Sequence, residues 1–92
     1  MAGIETVIAG VVVDVGGSPV EGARVYFVES PVPLPDIAIL TDSSGRFKLS
    51  APVPGTYWLE AAHEGSEGVR RTTSRIDVHK EQRVDLEVRL VL

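Results

Sequence analysis

A chain of 92 residues allows one domain with one core, and not a deep active-site cleft besides. It contains no cysteine, so it has no disulfide staple and no thiolate to bind metal or attack a substrate. The net charge of −4 argues against nucleic acid and anionic membrane surfaces as partners, because both reward clustered cations.

The opening residues, Met1-Ala2-Gly3-Ile4-Glu5, lack a basic stretch followed by an apolar run, so they do not read as a signal peptide. Apolar runs are broken by Asp, Glu or Arg well short of a membrane span. The expectation is a soluble single domain over residues 1–92, either a complete small protein or one module of a longer chain. Residues 7–13 are rich in β-branched side chains and predict a strand, with Gly10 as a bulge or a point of close approach. Gly16-Gly17-Ser18-Pro19 forms a turn cluster, and Gly22 closes a second one. Ala23, Val25 and Phe27 alternate with Arg24, Tyr26 and Val28, the period of a strand with one face in the core. Residues 30–35 hold three prolines without ladder donors and predict an extended loop.

Residues 36–41 read as a short strand, and Asp42-Ser43-Ser44-Gly45 as a tight hairpin turn closed by an Asp side chain and a left-handed Gly. Phe47 and Leu49 alternate on the return strand, and Val53-Pro54-Gly55-Thr56 fits a type II turn. Tyr57, Leu59 and Ala61 then face one way while Trp58 and Glu60 face the other. Residues 63–68 read as a loop and residues 69–78 as a polar edge strand. The final strand alternates Val84, Leu86, Val88, Leu90 and Leu92 with Asp85, Glu87 and Arg89. About seven short strands, with turns every ten residues or so and no helical stripe, predict an all-β antiparallel sandwich.

Three stretches in order resemble one family. Ile8-Ala9-Gly10-Val11-Val12-Val13-Asp14 with Gly17-Ser18-Pro19-Val20-Glu21-Gly22-Ala23-Arg24-Val25 resembles the opening of carboxypeptidase regulatory-like domains. Thr41-Asp42-Ser43-Ser44-Gly45-Arg46-Phe47-Lys48-Leu49 resembles their central hairpin, and Pro54-Gly55-Thr56-Tyr57-Trp58-Leu59 the lead into the next strand. The resemblance covers residues 7–62, and the last strands fit by pattern alone. It implies a transthyretin-like Greek-key β-sandwich, more distantly similar to Cna-type B repeats, with Tyr57 anchoring the sandwich corner. Such modules are appended to metallocarboxypeptidases, receptors, adhesins and carbohydrate-active proteins as spacers, folding partners or ligand-binding units. The resemblance therefore implies a non-catalytic role and leans toward an extracellular or cell-envelope setting.

Catalytic readings fail residue by residue. Transthyretin-related hydrolases of 5-hydroxyisourate end in Tyr-Arg-Gly-Ser, whereas this chain ends Arg89-Leu90-Val91-Leu92. His63-Glu64-Gly65-Ser66-Glu67 places Glu where a helical zinc motif needs its second His, so His63 reads as a loop histidine beside carboxylates. His79, next to Lys80 and Glu81, reads as a solvated turn residue. Ser66 lacks the glycine two places earlier that a nucleophile elbow requires. Asp42 and the Glu64/Glu67 pair are too sparse for a calcium loop. The Lys–Asn isopeptide bond of the Cna-type repeats has no basis here, because the first lysine is Lys48 and there is no Asn. No cofactor, metal or catalytic residue is expected.

What remains is surface. Trp58 is expected on an outer face, where it would anchor a protein partner or, with Tyr26, stack on a sugar; the plainer reading has the proline loop or a neighbouring strand covering it. Arg70 and Arg71, with Arg75, mark either an anion-binding or partner-docking strand, or simply a charged, protected edge. Val32 and Leu34, between rigid prolines, form either a contact ridge or a plain connector. The leading expectation is an accessory or structural module that contacts a protein partner or the rest of a larger chain. A homodimer through an edge or the Trp58 face is one arrangement, a carbohydrate-binding module is the alternative, and a small hydrolase the remote one.

Overall fold

The computed structural model describes residues 6–35, 37–66, 68–79 and 86–92, with Leu86 and Glu87 described by their backbone. Its strands are β1 (Thr6–Val13), β2 (Arg24–Glu29), β3 (Ile39–Leu40), β4 (Arg46–Ala51), β5 (Gly55–Gly65), β6 (Gly68–Val78) and β7 (Leu86–Val91). They form two sheets, one ordered β4-β1-β7 and the other β3-β2-β5-β6. Period-2 alternation explains why both sheets have a core face. Phe47, Leu49 and Ala51 are buried on β4 while Arg46, Lys48 and Ser50 are exposed. Tyr57, Leu59 and Ala61 of β5 meet Ile8 and Val12 of β1 in one cluster with Val25, Phe47 and Leu90. Each large aliphatic side chain removed from water there contributes about 1.5–3 kcal/mol. The rings of Phe27 and Tyr57 meet at 5.1 Å between centroids, tilted by 47°.

The all-β, seven-strand sandwich predicted from the alternation is therefore the observed fold, with one pairing of opposite sense. β7 runs parallel to β1, Ile8 opposite Leu86 and Val13 opposite Val91. The chain reaches β7 from β6, in the other sheet, so no hairpin dictates its direction. Gly10 realises the close approach: a Cβ there would stand 2.6 Å from both the Cζ of Phe47 and the carbonyl oxygen of Val88.

Several local expectations change. The strand predicted over residues 36–41 shrinks to the two residues of β3, Asp36 lying outside the described residues. Thr41 is diverted into crossing bonds instead. Its hydroxyl accepts from the Ala23 amide at 2.8 Å and donates to the Val20 carbonyl at 2.7 Å. The turn at residues 42–45 is tight but not a hairpin within one sheet, because β3 and β4 belong to different sheets. Asp42 Oδ1 accepts from the amides of Ser44 and Arg46, both at 2.9 Å, and Gly45 takes a φ of +74°. The Gly45 carbonyl then accepts from the Val12 amide at 2.8 Å, docking the turn on β1.

Gly55 has a φ of +140°, away from the value near +80° that the third position of a type II turn requires. The bend is closed by Tyr57, whose hydroxyl donates to the Val53 carbonyl at 2.6 Å and accepts from the Val53 amide at 3.2 Å. This is the corner anchor expected of Tyr57. The loop expected over residues 63–68 is strand at residues 63–65 and at Gly68, since the β5–β6 ladder continues to Gly65 opposite Gly68, with Ser66 in the turn and Glu67 outside the described residues. Backbone pairing persists there after the side chains have left the core. Of the last predicted strand, Val84 and Asp85 lie outside the described residues, while Val88 and Leu92 pack on the core and Leu90 is within it.

Two measurements check this account. Gly10→Ala should cost roughly 2–3 kcal/mol in urea unfolding, because the Phe47 ring can shift but the Val88 carbonyl is fixed in β7. Gly22→Ala, at a φ of +78° with nothing within 4 Å, should cost only the conformational term of about 1 kcal/mol. Equal losses would refute the close approach. The amides of Arg46 and then Ser44 hold the Asp42 carboxyl below the usual carboxylate range. Its contribution is whole above the unfolded value of about 4 and is lost as pH falls through the lower folded value. Asp42→Ala should accordingly flatten the acid limb of a stability–pH profile and leave the alkaline limb alone.

Candidate functional site

The strand register decides which polar side chains share a face. Tyr57, Leu59 and Ala61 point into the core, so Trp58, Glu60 and Ala62 lie on the outer face of the four-stranded sheet. β2 places Tyr26 opposite Glu60, and β6 places Thr73 opposite Glu60, Arg75 opposite Trp58 and Arg71 opposite Ala62. The Tyr26 hydroxyl donates to Glu60 Oε2. Arg71 Nε lies 3.6 Å from the same oxygen, so one carboxylate joins all three strands. A parallel contact runs below it: Thr56 donates to Asp77 Oδ1 at 2.9 Å, and Arg75 lies 3.8 Å from Asp77 Oδ2. Trp58 sits between these two polar groups, diagonal to Tyr26 across the pair of strands.

The network has a defined electrostatic bias. The hydrogen bond to Glu60 raises the Tyr26 phenol above its ordinary range, with burial and the Glu60 charge acting in the same sense. Arg71 opposes the shift without cancelling it. The phenol therefore remains a donor, and Glu60 an acceptor shared between a neutral hydroxyl and a guanidinium.

The surface residues predicted from the sequence do not form one site. Trp58 and Tyr26 share a face, but both are half-buried rather than open, and the Tyr26 hydroxyl is engaged by Glu60. Arg70 and Arg71 are consecutive on a strand and so point to opposite sides, Arg71 toward Glu60 and Arg70 to the other face, opposite His63. The proline segment also divides, Val32 being exposed and Leu34 packed against the core. Glu60, the centre of the network, escaped the sequence reading. Its signal was only its phase on β5, which gains meaning once Tyr26 and Arg71 are known to flank it.

A concavity lies at one end of the sandwich, between the β5–β6 hairpin and the β1–β2 connection. It encloses about 410 Å³ and is lined by His63 and Arg70 from the hairpin, Asp14 and Glu21 from the β1–β2 connection, and Val20 and Leu92. The Asp14 carboxylate is already committed, accepting from the amides of Gly16 at 2.9 Å and Ser18 at 3.0 Å. His63 thus belongs to a strand and faces the cleft, not to a solvated loop. Glu67 of the Glu64/Glu67 pair and the Lys80–Glu81 neighbours of His79 lie outside the described residues. Lys48 stands on β4 opposite Ala9. Among the described residues no three His, Asp or Glu side chains gather as a metal site, and every buried side-chain nitrogen or oxygen has a partner.

The family profile of the carboxypeptidase regulatory-like domain matches residues 7–91, reaching beyond the three motifs into β7. The chain belongs to this family. No curated protein matches it. The transthyretin-like sandwich of a carboxypeptidase regulatory-like domain is the architecture found here, with a filled core and its polar groups arranged on faces, edges and ends.

The Tyr26 shift has a definite consequence with pH. A phenol held neutral by the fold contributes fully below the unfolded tyrosine value of about 10 and loses that contribution as pH rises through the higher folded value. Tyr26→Phe should lower stability at pH 7 by about 0.5–1.5 kcal/mol, the worth of the lost hydrogen bond. It should also remove the part of the alkaline destabilisation that tracks phenolate absorbance. An alkaline limb identical in the two proteins would refute the Tyr26–Glu60 linkage.

Proposed function

We propose that this domain is a non-catalytic accessory module of a larger protein, and that it makes protein contacts through the outer face of β2, β5 and β6. The observation that carries the reading is the Tyr26–Glu60–Arg71 network set beside Trp58 on a sheet face whose opposite side is already committed to the core. Trp, Tyr and Arg are the residues over-represented among energetic anchors of protein interfaces. Here the polar ones are held in place before any partner arrives, which lowers the entropy cost of association. Membership in a family of regulatory-like, non-catalytic domains supports the same reading.

A carbohydrate-binding module would use Trp58 and Tyr26 as open stacking platforms. Their half-buried placement favours the protein reading over that one. A hydrolase would draw on His63, which faces the end cleft beside Arg70.

A photo-crosslinking residue at position 58, used in cells of the protein's source, should give a protein adduct identified by mass spectrometry, and Glu60→Arg should abolish it. A glycan array should be blank. Glycan binding lost on Trp58→Ala would replace this reading with the carbohydrate one, and 5-hydroxyisourate turnover lost on His63→Ala would overturn the non-catalytic assignment.

A further inference from the structure

Among the described residues β6 is the longest strand at a sheet margin. Its eleven residues pair with β5 along one side and with no described strand along the other. Alternate residues of such a strand turn their N–H and C=O groups away from the sheet, which makes the edge a template for a further strand. The composition of this edge is as distinctive as its length. Along β6 three cations, Arg70, Arg71 and Arg75, stand with one acid, Asp77, in a chain whose overall charge is −4. The side chains of Arg71 and Arg75 are each 60% exposed and stand on the outer face on either side of Thr73. On the other face Thr72, Ser74 and Ile76 are partly buried, a mildly apolar strip beside the core.

A second copy of β6 satisfies the cations of this edge only in part. A two-fold axis at Thr73 sets Arg71 opposite Arg75 at both ends, and like charges directly opposed are destabilising. An axis at Ser74 sets Arg71 opposite Asp77, an attractive pair, but leaves Arg75 opposite Thr73 and draws Asp77 away from Thr56 and Arg75. An extended strand with acids on one face and small apolar residues on the other suits both faces at once. We propose that the β6 edge receives such a segment of a partner protein as an added strand, with carboxylates opposite Arg71 and Arg75. The inference rests on the reading of the domain as a protein-contact module and specifies the chemistry of one contact. Backbone pairing supplies the affinity, and the arginines select the acidic sequence.

The test uses the whole 92-residue chain, labelled with ¹⁵N, and a capped peptide of sequence Thr-Glu-Val-Glu-Val-Glu-Thr. Amide shifts should concentrate in residues 69–75. Replacing the three Glu by Lys should abolish binding, and Arg71→Gln with Arg75→Gln should weaken it about tenfold. Gln is chosen over Glu so that no new carboxylate faces Glu60, and an unchanged circular dichroism spectrum confirms that the variant folds. The peptide methylated on alternate amides should bind in one phase and fail in the other, which charge attraction alone cannot produce. Equal binding of both methylated phases, equal binding of the Lys peptide, no shifts at millimolar peptide, or a free domain already dimeric through β6 would each overturn the proposal. A protein adduct at position 58 together with a silent β6 edge leaves the contact-module reading standing and removes this inference alone.

Discussion

Phe47 lies across the backbone of β1 at Gly10, so closely that even a methyl group there would meet both the ring and the carbonyl of Val88. β1 is the middle strand of its sheet, with β4 antiparallel on one side and β7 parallel on the other. The glycine therefore sits where strands from the beginning, middle and end of the chain converge. Contact with the Phe47 ring and the Val88 backbone replaces the side chain it lacks, and offsets the conformational entropy a strand glycine costs. The parallel β1–β7 pair joins residues nearly the whole chain apart in sequence. Such pairing carries a loop-closure cost that local contacts do not, and the close fit at Gly10 helps to offset it.

The crossings between sheets depend on polar groups in a comparable way. Thr41 is buried, yet its hydroxyl both accepts from Ala23 and donates to Val20, so its burial incurs no unpaired polar atom. Five residues later, at Arg46, the chain has left one sheet for the other, guided by the Asp42 carboxylate and the left-handed Gly45. Tyr57 performs the equivalent task at the next crossing by bonding both backbone groups of Val53. With the crossings closed by short-range bonds, the packed cluster between the sheets is built of apolar residues and Tyr57, and the outer faces can carry polar networks.

The periodicity of β4 and β5 made the core legible in advance: Phe47, Leu49, Tyr57, Leu59 and Ala61 are all buried as their phase requires. Turn chemistry was legible as well, because Asp42 and Gly45 act locally. Pairing was not. Residues 42–45 carry every mark of a hairpin, and only the sheet assignment of β3 and β4 shows that the turn changes sheets. Residues 63–65, in a stretch rich in glycine and acids, lacked strand signals but inherit strand conformation from the ladder that begins at Gly55. The candidate face failed to appear for the same reason. Tyr26, Glu60 and Arg71 lie on three strands, and no local pattern in any one of them announces the other two.

The two surfaces of the four-stranded sheet are coupled through Arg71. On the face it supports the carboxylate that Tyr26 holds, and at the margin it belongs to the row of cations along β6. A long edge strand needs charge to discourage pairing with its own kind, and arginine supplies this without removing backbone hydrogen-bonding capacity, as proline would. Protection by charge sign is selective where protection by proline is absolute: it repels cationic strands and admits anionic ones. Glu60 partly neutralises Arg71 from the face, so a ligand at the margin competes with Glu60 for the same guanidinium. Occupation of the edge would then loosen the Tyr26–Glu60–Arg71 network, and a partner on the face would in turn weaken the edge, as reciprocity of coupling requires.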